Sequence, residues 1–187
     1  MQMRTDAMKV YQKIKLDFDP FDELALEYDE LHRHINPWPL KTVEPHNIGA
    51  KMIKFLEDLN LSPVDRSCFF VGSPGTIQTI HTDVKKGWAL NFVKNWEDTL
   101  MKWYKLKDHV PEPPIKLTNA GTKFQSYPLT ALDFIDSATF QSALVKIDLP
   151  HQVINRSEIY RYCYSVRVQP MIEWEEALEL FKPWSID

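Results

Sequence analysis

Two residues apart in TIQTIHTDVKKGWALNF (residues 76–92) stand an imidazole and a carboxylate, His81 and Asp83. On an extended chain residues i and i+2 point to the same side, so a nitrogen and an oxygen can be aimed at one point. A histidine plus a carboxylate is two-thirds of the set of two histidines and one carboxylate that holds Fe(II) and leaves positions open for a co-substrate and oxygen. The plainer reading of HTD is a strand end whose polar side chains serve a turn. A third donor from elsewhere in the chain decides between them.

Of the six histidines, His32, His34 and His46 fall in an N-terminal stretch expected to be helical, and His109 sits in KDHVPEPP, where a solvated side chain is the simple explanation. His151 differs. It follows an apolar run and a proline in ALVKIDLPH, starts another short extended segment, and comes 70 residues after His81. Ten residues further on is Arg161, inside IYRYCYSVRV. Alternation places Ile159, Arg161, Cys163, Ser165 and Arg167 on one face, and Tyr160, Tyr162, Tyr164, Val166 and Val168 on the other. The first face puts a guanidinium and a hydroxyl where a barrel interior would hold Leu or Val. Burying a guanidinium without a partner is costly; an anionic ligand supplies one, because the fork of N–H groups matches a carboxylate. Arg167 is expected as a surface or sheet-end charge and Cys163 as core.

The elements that must carry these residues are legible in outline. EPHNIGAKMIKFLEDLNLS has apolar residues at helical spacing up to about Asn60. Segments within 6–35 are read as helical and closed by the Pro37-Trp38-Pro39 turn. From Cys68 the period changes to two, with strands expected at 68–71, 76–82, 88–93, 99–105, 132–135, 143–147, 152–154 and 159–168, separated by turns such as SPG at 73–75, KKG at 85–87 and NRSE at 155–158. A helix over 173–181 closes the chain. The expected fold is mainly β with flanking helices, a barrel or jelly roll, in one domain: 1–66 a helical entry packing on the sheet, 67–169 the β core, 170–187 a C-terminal helix.

At 187 residues, with 44% hydrophobic residues, the chain is long enough for one well-buried core and short for two. A net charge of −4 gives no general attraction to phosphate backbones, so nucleic acid is not an expected partner. The lysines at 85, 86, 94, 102, 105 and 107 are read as a solvated face. Cys68 and Cys163 imply no disulfide scaffold. No signal-like segment and no run of 18 apolar residues is present, which points to a cytoplasmic protein without a membrane role. Nothing specifies an oligomeric state.

Taken in order, HTD at 81–83, PHQVIN at 150–155 and Arg161 with Ser165 downstream resemble the H-x-D…H…R pattern of the Fe(II)- and 2-oxoglutarate-dependent dioxygenases. The resemblance covers about residues 68–168. It implies a double-stranded β-helix (jelly-roll) core. In that family the first His and the Asp follow the first core strand, the second His lies on the seventh, and a basic residue on the eighth binds the far carboxylate of 2-oxoglutarate. Carried over, His81, Asp83 and His151 are the metal ligands, Arg161 binds 2-oxoglutarate with Ser165, and no catalytic residue is expected beyond the ligands. Asn91 and Tyr104 are further candidates for co-substrate contacts. The implied reaction is oxidative decarboxylation of 2-oxoglutarate coupled to oxidation of a small-molecule or peptide substrate. A carboxylate at Asp83 favours hydroxylation, since halogenating members carry a small residue there. Trp88 and Trp103 are candidates for a substrate pocket, with packing the simpler reading. The alternative is a cupin-like metal- or ligand-binding protein without 2-oxoglutarate chemistry; such a protein has no need of Arg161, and a non-catalytic interaction module has no need for His81, Asp83 and His151 to converge.

Overall fold

The computed structural model describes residues 8–22, 24, 40–43, 47–64, 67–83, 87–117 and 123–186. The helical expectation over 25–35, the Pro37–Pro39 turn, His32, His34, His46, Lys85 and Lys86 lie outside these residues.

Fourteen strands and two α-helices are assigned among them. In chain order they are β1 (Tyr11–Lys13), β2 (Leu40–Val43), α1 (Ala50–Asp58), β3 (Ser62–Pro63), β4 (Ser67–Gly72), β5 (His81–Asp83), β6 (Trp88–Lys94), β7 (Thr99–Leu106), β8 (Lys116–Leu117), β9 (Lys123–Ser126), β10 (Leu132–Ala138), β11 (Ser142–Lys146), β12 (His151–Asn155), β13 (Arg161–Val166), β14 (Val168–Gln169) and α2 (Trp174–Leu180). The strands form two six-stranded antiparallel sheets, ordered β1-β11-β6-β13-β4-β2 and β10-β7-β12-β5-β9-β8, and a small β14-β3 pair.

The two sheets pack face to face. Ala89, Val93, Ala143, Val145 and Cys163 from the first meet Met101, Trp103 and Val153 from the second. The other face of the first sheet, with Phe69, Val71, Trp88, Leu90, Phe92, Leu144 and Tyr164, is covered by the helices through Met52, Leu56, Trp174, Ala177 and Phe181. Helix α1 turns one amphipathic stripe to that surface, with Met52 and Leu56 buried. Just past its end Asn60 takes positive φ (56°), a geometry that Asn tolerates better than most residues. Among the described residues no helix is long and apolar enough to cross a membrane.

Two expectations change. The N-terminal third is not simply a helical entry: β1 and β2 flank the first sheet at its two edges, and only α1 of its described part is an α-helix. Strand β1 escapes pattern recognition because its inward residue is polar. Gln12 is 4% exposed, accepts from Lys9 Nζ at 2.8 Å and donates to the Leu178 carbonyl at 3.3 Å. Second, the extended run expected over 76–82 is interrupted. Ile77 bridges Ile154 and His81 pairs with His151, so four steps on one strand oppose three on the other. That mismatch of one residue is a bulge, a device that re-aims side chains.

Candidate functional site

His81 and Asp83 lie on β5 itself rather than beyond a strand end, and their parity turns both toward the inter-sheet space. Directly across the ladder from His81 is His151, the first residue of β12. Trp103 of β7 flanks His151 on its other side. Residues paired across an antiparallel ladder share a face, so the two imidazoles are neighbours by register. Their ring centroids are 4.5 Å apart.

Each ring is held the same way. His81 Nδ1 lies 2.8 Å from the Thr79 carbonyl, and His151 Nδ1 lies 2.9 Å from the Leu149 carbonyl. A carbonyl oxygen only accepts, so Nδ1 carries the hydrogen in both rings and a neutral ring presents its lone pair at Nε2. His151 is buried, and that desolvation, with the His81 imidazole beside it, pushes its pKa down to about 4. It is therefore uncharged near neutral pH, the form in which imidazole binds cations.

Asp83 Oδ1 stands 4.0 Å from His81 Nε2. Its other oxygen, Oδ2, accepts a short hydrogen bond from Arg167 Nη2. Burial alone would raise the Asp83 pKa; the guanidinium of Arg167, with the imidazoles of His151 and His81, outweighs it and holds the carboxyl below its ordinary value. Arg167 is thus a sheet-end charge, one residue past β13, and not a surface one. The sequence showed that it shares a face with Arg161, but its contact depends on β5 lying opposite the end of β13, which no local pattern reveals.

These side chains line one cavity with Arg161, Ser165 and Asn91 of the facing sheet. Ser165 pairs with Asn91 across the β13–β6 ladder. Arg161 is only 3% exposed, and its Nε has no hydrogen-bond partner; the same holds for Asn91 Oδ1. Cys163, between Arg161 and Ser165 on this face, also lines the cavity, and burial raises its thiol pKa against the opposing pull of Arg161. Phe70, Met101, Ile147 and Val153 supply the apolar wall. The free volume is about 40 Å³, room for a few waters.

Tyr104 is not in this cavity. It lies on the opposite face of β7 from Trp103, donates to Gln152 Oε1 at 3.4 Å and packs edge-on against Phe134. Its neighbours are Ile80, Tyr127 and Leu132, a small cluster on the outside of the second sheet. Trp88 and Trp103 are fully buried core residues whose indole N–H groups donate to the carbonyls of Ile172 and Lys146. His109 adopts positive φ (67°) in a loop and does not line the cavity.

Among the described residues no group of three or more His, Cys, Asp or Glu is arranged to hold a metal ion. The shortfall is visible at Asp83. Donors about 2.1 Å from one divalent ion stand roughly 3 Å apart along an octahedral edge, whereas Oδ1 and Nε2 are 4.0 Å apart. The donor types, two imidazoles and a carboxylate, suit a cation; by this distance the carboxylate would need to move by about 1 Å.

No protein-family model matches the chain, and no curated protein matches it. In structure it is similar to peruvianin-I, a cysteine peptidase from Thevetia peruviana latex, at 12% identity and a TM-score of 0.36 over 80% of this chain and 69% of that one. It is also similar to an oxalate oxidase, at 11% identity and a TM-score of 0.34 over 94% and 89% of the two chains. Neither likeness is close enough to carry an argument about this chain.

Proposed function

We propose that the chain is a mononuclear non-haem Fe(II)- and 2-oxoglutarate-dependent oxygenase that hydroxylates a small-molecule or peptide substrate. The observation that carries this reading is the facing of two donor sets across one cavity. His81, Asp83 and His151 come from one sheet, and a buried guanidinium with an unpartnered Nε, Arg161, comes from the other. Cation ligands alone do not call for Arg161.

Strand order supports the jelly-roll form of the core. Four adjacent strands of each sheet, central in the first and starting from the β10 edge in the second, run β11-β6-β13-β4 and β10-β7-β12-β5. Counted along the chain, His81 and Asp83 lie on the second of these eight, directly after the first, with His151 on the seventh and Arg161 on the eighth. That is the placement the H-x-D…H…R resemblance implies.

Bound Fe(II), with 2-oxoglutarate and oxygen, supplies the oxidising chemistry. The chain's own residues bind and exclude. His151 and His81 would present Nε2, Asp83 would present Oδ1, and Arg161 would take the far carboxylate of the co-substrate by a paired hydrogen bond that also satisfies its Nε. Ser165, which lines the same cavity, would donate to the same carboxylate, while Phe70, Met101 and Val153 keep water out. A dicarboxylic acid needs more than the free 40 Å³, so entry requires side chains to yield, and unbranched Met101 is the most adaptable of them.

The narrowness of the cavity and the engagement of Asp83 by Arg167 favour one second reading, a cupin-like metal- or ligand-binding protein without 2-oxoglutarate chemistry. One experiment separates the two. Anaerobic addition of Fe(II) and 2-oxoglutarate is expected to produce a weak visible absorption, and admission of oxygen to yield succinate, both lost in His151→Ala. Metal binding without 2-oxoglutarate-dependent absorption or succinate would establish the second reading instead.

A further inference from the structure

We propose that Arg167 is a positioning residue that restricts Asp83 to a single donor oxygen; the inference rests on the cation site just described. The two oxygens of Asp83 face different partners. Oδ2 takes the N–H of Arg167 Nη2 and Oδ1 is directed toward His81 Nε2. A carboxylate free at both oxygens can chelate a divalent ion through both, filling a second coordination position. With Oδ2 committed, His81, His151 and Asp83 supply three donors and leave the remaining positions for ligands.

Both ends of the clamp are anchored. The Arg167 backbone N–H donates to Ser67 Oγ at 3.2 Å and its carbonyl accepts from Val64 N–H at 3.0 Å. The Asp83 N–H donates to the Ile147 carbonyl at 3.1 Å. The two side chains are 15% and 18% exposed, so water screens the pair only partly. The opposite role is a guanidinium that competes with the cation for the carboxylate, and it predicts an effect of opposite sign.

Co(II) titration of the full chain, followed by visible absorption, tests this. Arg167→Ala is expected to weaken Co(II) binding by roughly 10–100-fold, the usual effect of removing a partner of a metal ligand. The ligand-field spectrum should shift as the carboxylate turns. Arg167→Lys should recover most of the affinity, since one N–H donor suffices for the contact. In an Asp83→Ala background the Arg167 substitution should have no further effect, because the clamp acts only through Asp83. Should the alanine variant lose cooperative thermal unfolding, Arg167→Met, which keeps the stem but has no donor, replaces it. Equal or tighter Co(II) binding in the variant overturns the clamp while leaving the cation site intact. Failure of the parent protein to bind Co(II) removes the site itself, and the clamp with it.

Discussion

Arg167 and Asp83, 84 positions apart in the chain, join the facing sheets through one short charge-assisted hydrogen bond at the cavity. Arg161 lies on the same face of β13, six residues earlier, yet its Nε is unpartnered. One face therefore carries a guanidinium already engaged and another whose environment is incomplete, and the two should respond differently to substitution.

Arg161→Ala is expected to raise the 2-oxoglutarate concentration needed for half-maximal succinate formation by about 30-fold or more, the loss of a charge-assisted pair worth roughly 2–4 kcal/mol. Co(II) affinity should stay within about threefold of the parent. Steady-state assay against 2-oxoglutarate, with the Co(II) titration as control, checks it; parallel loss of both would place Arg161 in the fold rather than at the co-substrate.

Tyr104→Phe removes a hydroxyl on the outside of the second sheet, where it donates to Gln152. No change in 2-oxoglutarate requirement is expected, and a stability loss of about 1 kcal/mol, typical of one hydrogen bond. Urea unfolding and the succinate assay together check this. A raised 2-oxoglutarate requirement would return Tyr104 to the site.

The acid side of the stability profile follows from two groups. The His151 pKa is lowered from 6.5 to about 4, so the unfolded chain takes up a proton between these values while the folded one does not. Stability conferred by the neutral ring is present above pH 6.5, declines as pH falls to about 4, and amounts to on the order of 3 kcal/mol. Asp83, lowered from 3.8, adds a second loss only below that pH. Metal-free protein unfolded in urea between pH 7 and 4 should show the decline, and His151→Asn should flatten it; an unchanged slope in that variant would place the titrating group elsewhere.

Gly87 immediately precedes β6 with φ of 128°, and a Cβ there would come within 2.7 Å of Met171 Sδ. Gly87→Ala is expected to cost about 1–3 kcal/mol, as strained backbone does. Met171 is half-exposed at the end of a flexible chain and can move aside, so adding Met171→Ala should recover little of the loss. Full recovery in the double variant, measured by thermal unfolding, would assign the cost to the clash rather than to φ.

The sequence discloses strands that are apolar and buried along most of their length. Cys68–Val71, Trp88–Val93, Thr99–Lys105 and Ala143–Ile147 fall within a residue or so of β4, β6, β7 and β11. It conceals those held by something else: β1 turns a glutamine inward, and β8 has two exposed residues at a sheet edge. The same divide runs through the site. His81, Asp83, His151 and Arg161 stand out because polar residues interrupt apolar patterns. Arg167 and Tyr104 could not be placed, since the role of one depends on which strands face each other and that of the other on which side of β7 meets His151.

His81 and His151 sit opposite one another because a backbone ladder says so. Sliding β12 by one residue would keep most of its hydrogen bonds and carry Gln152 into the cavity in place of the imidazole. The chemistry of this chain is thus stored as an alignment of two main chains, which leaves the connecting segments free to diverge in length and composition without erasing it.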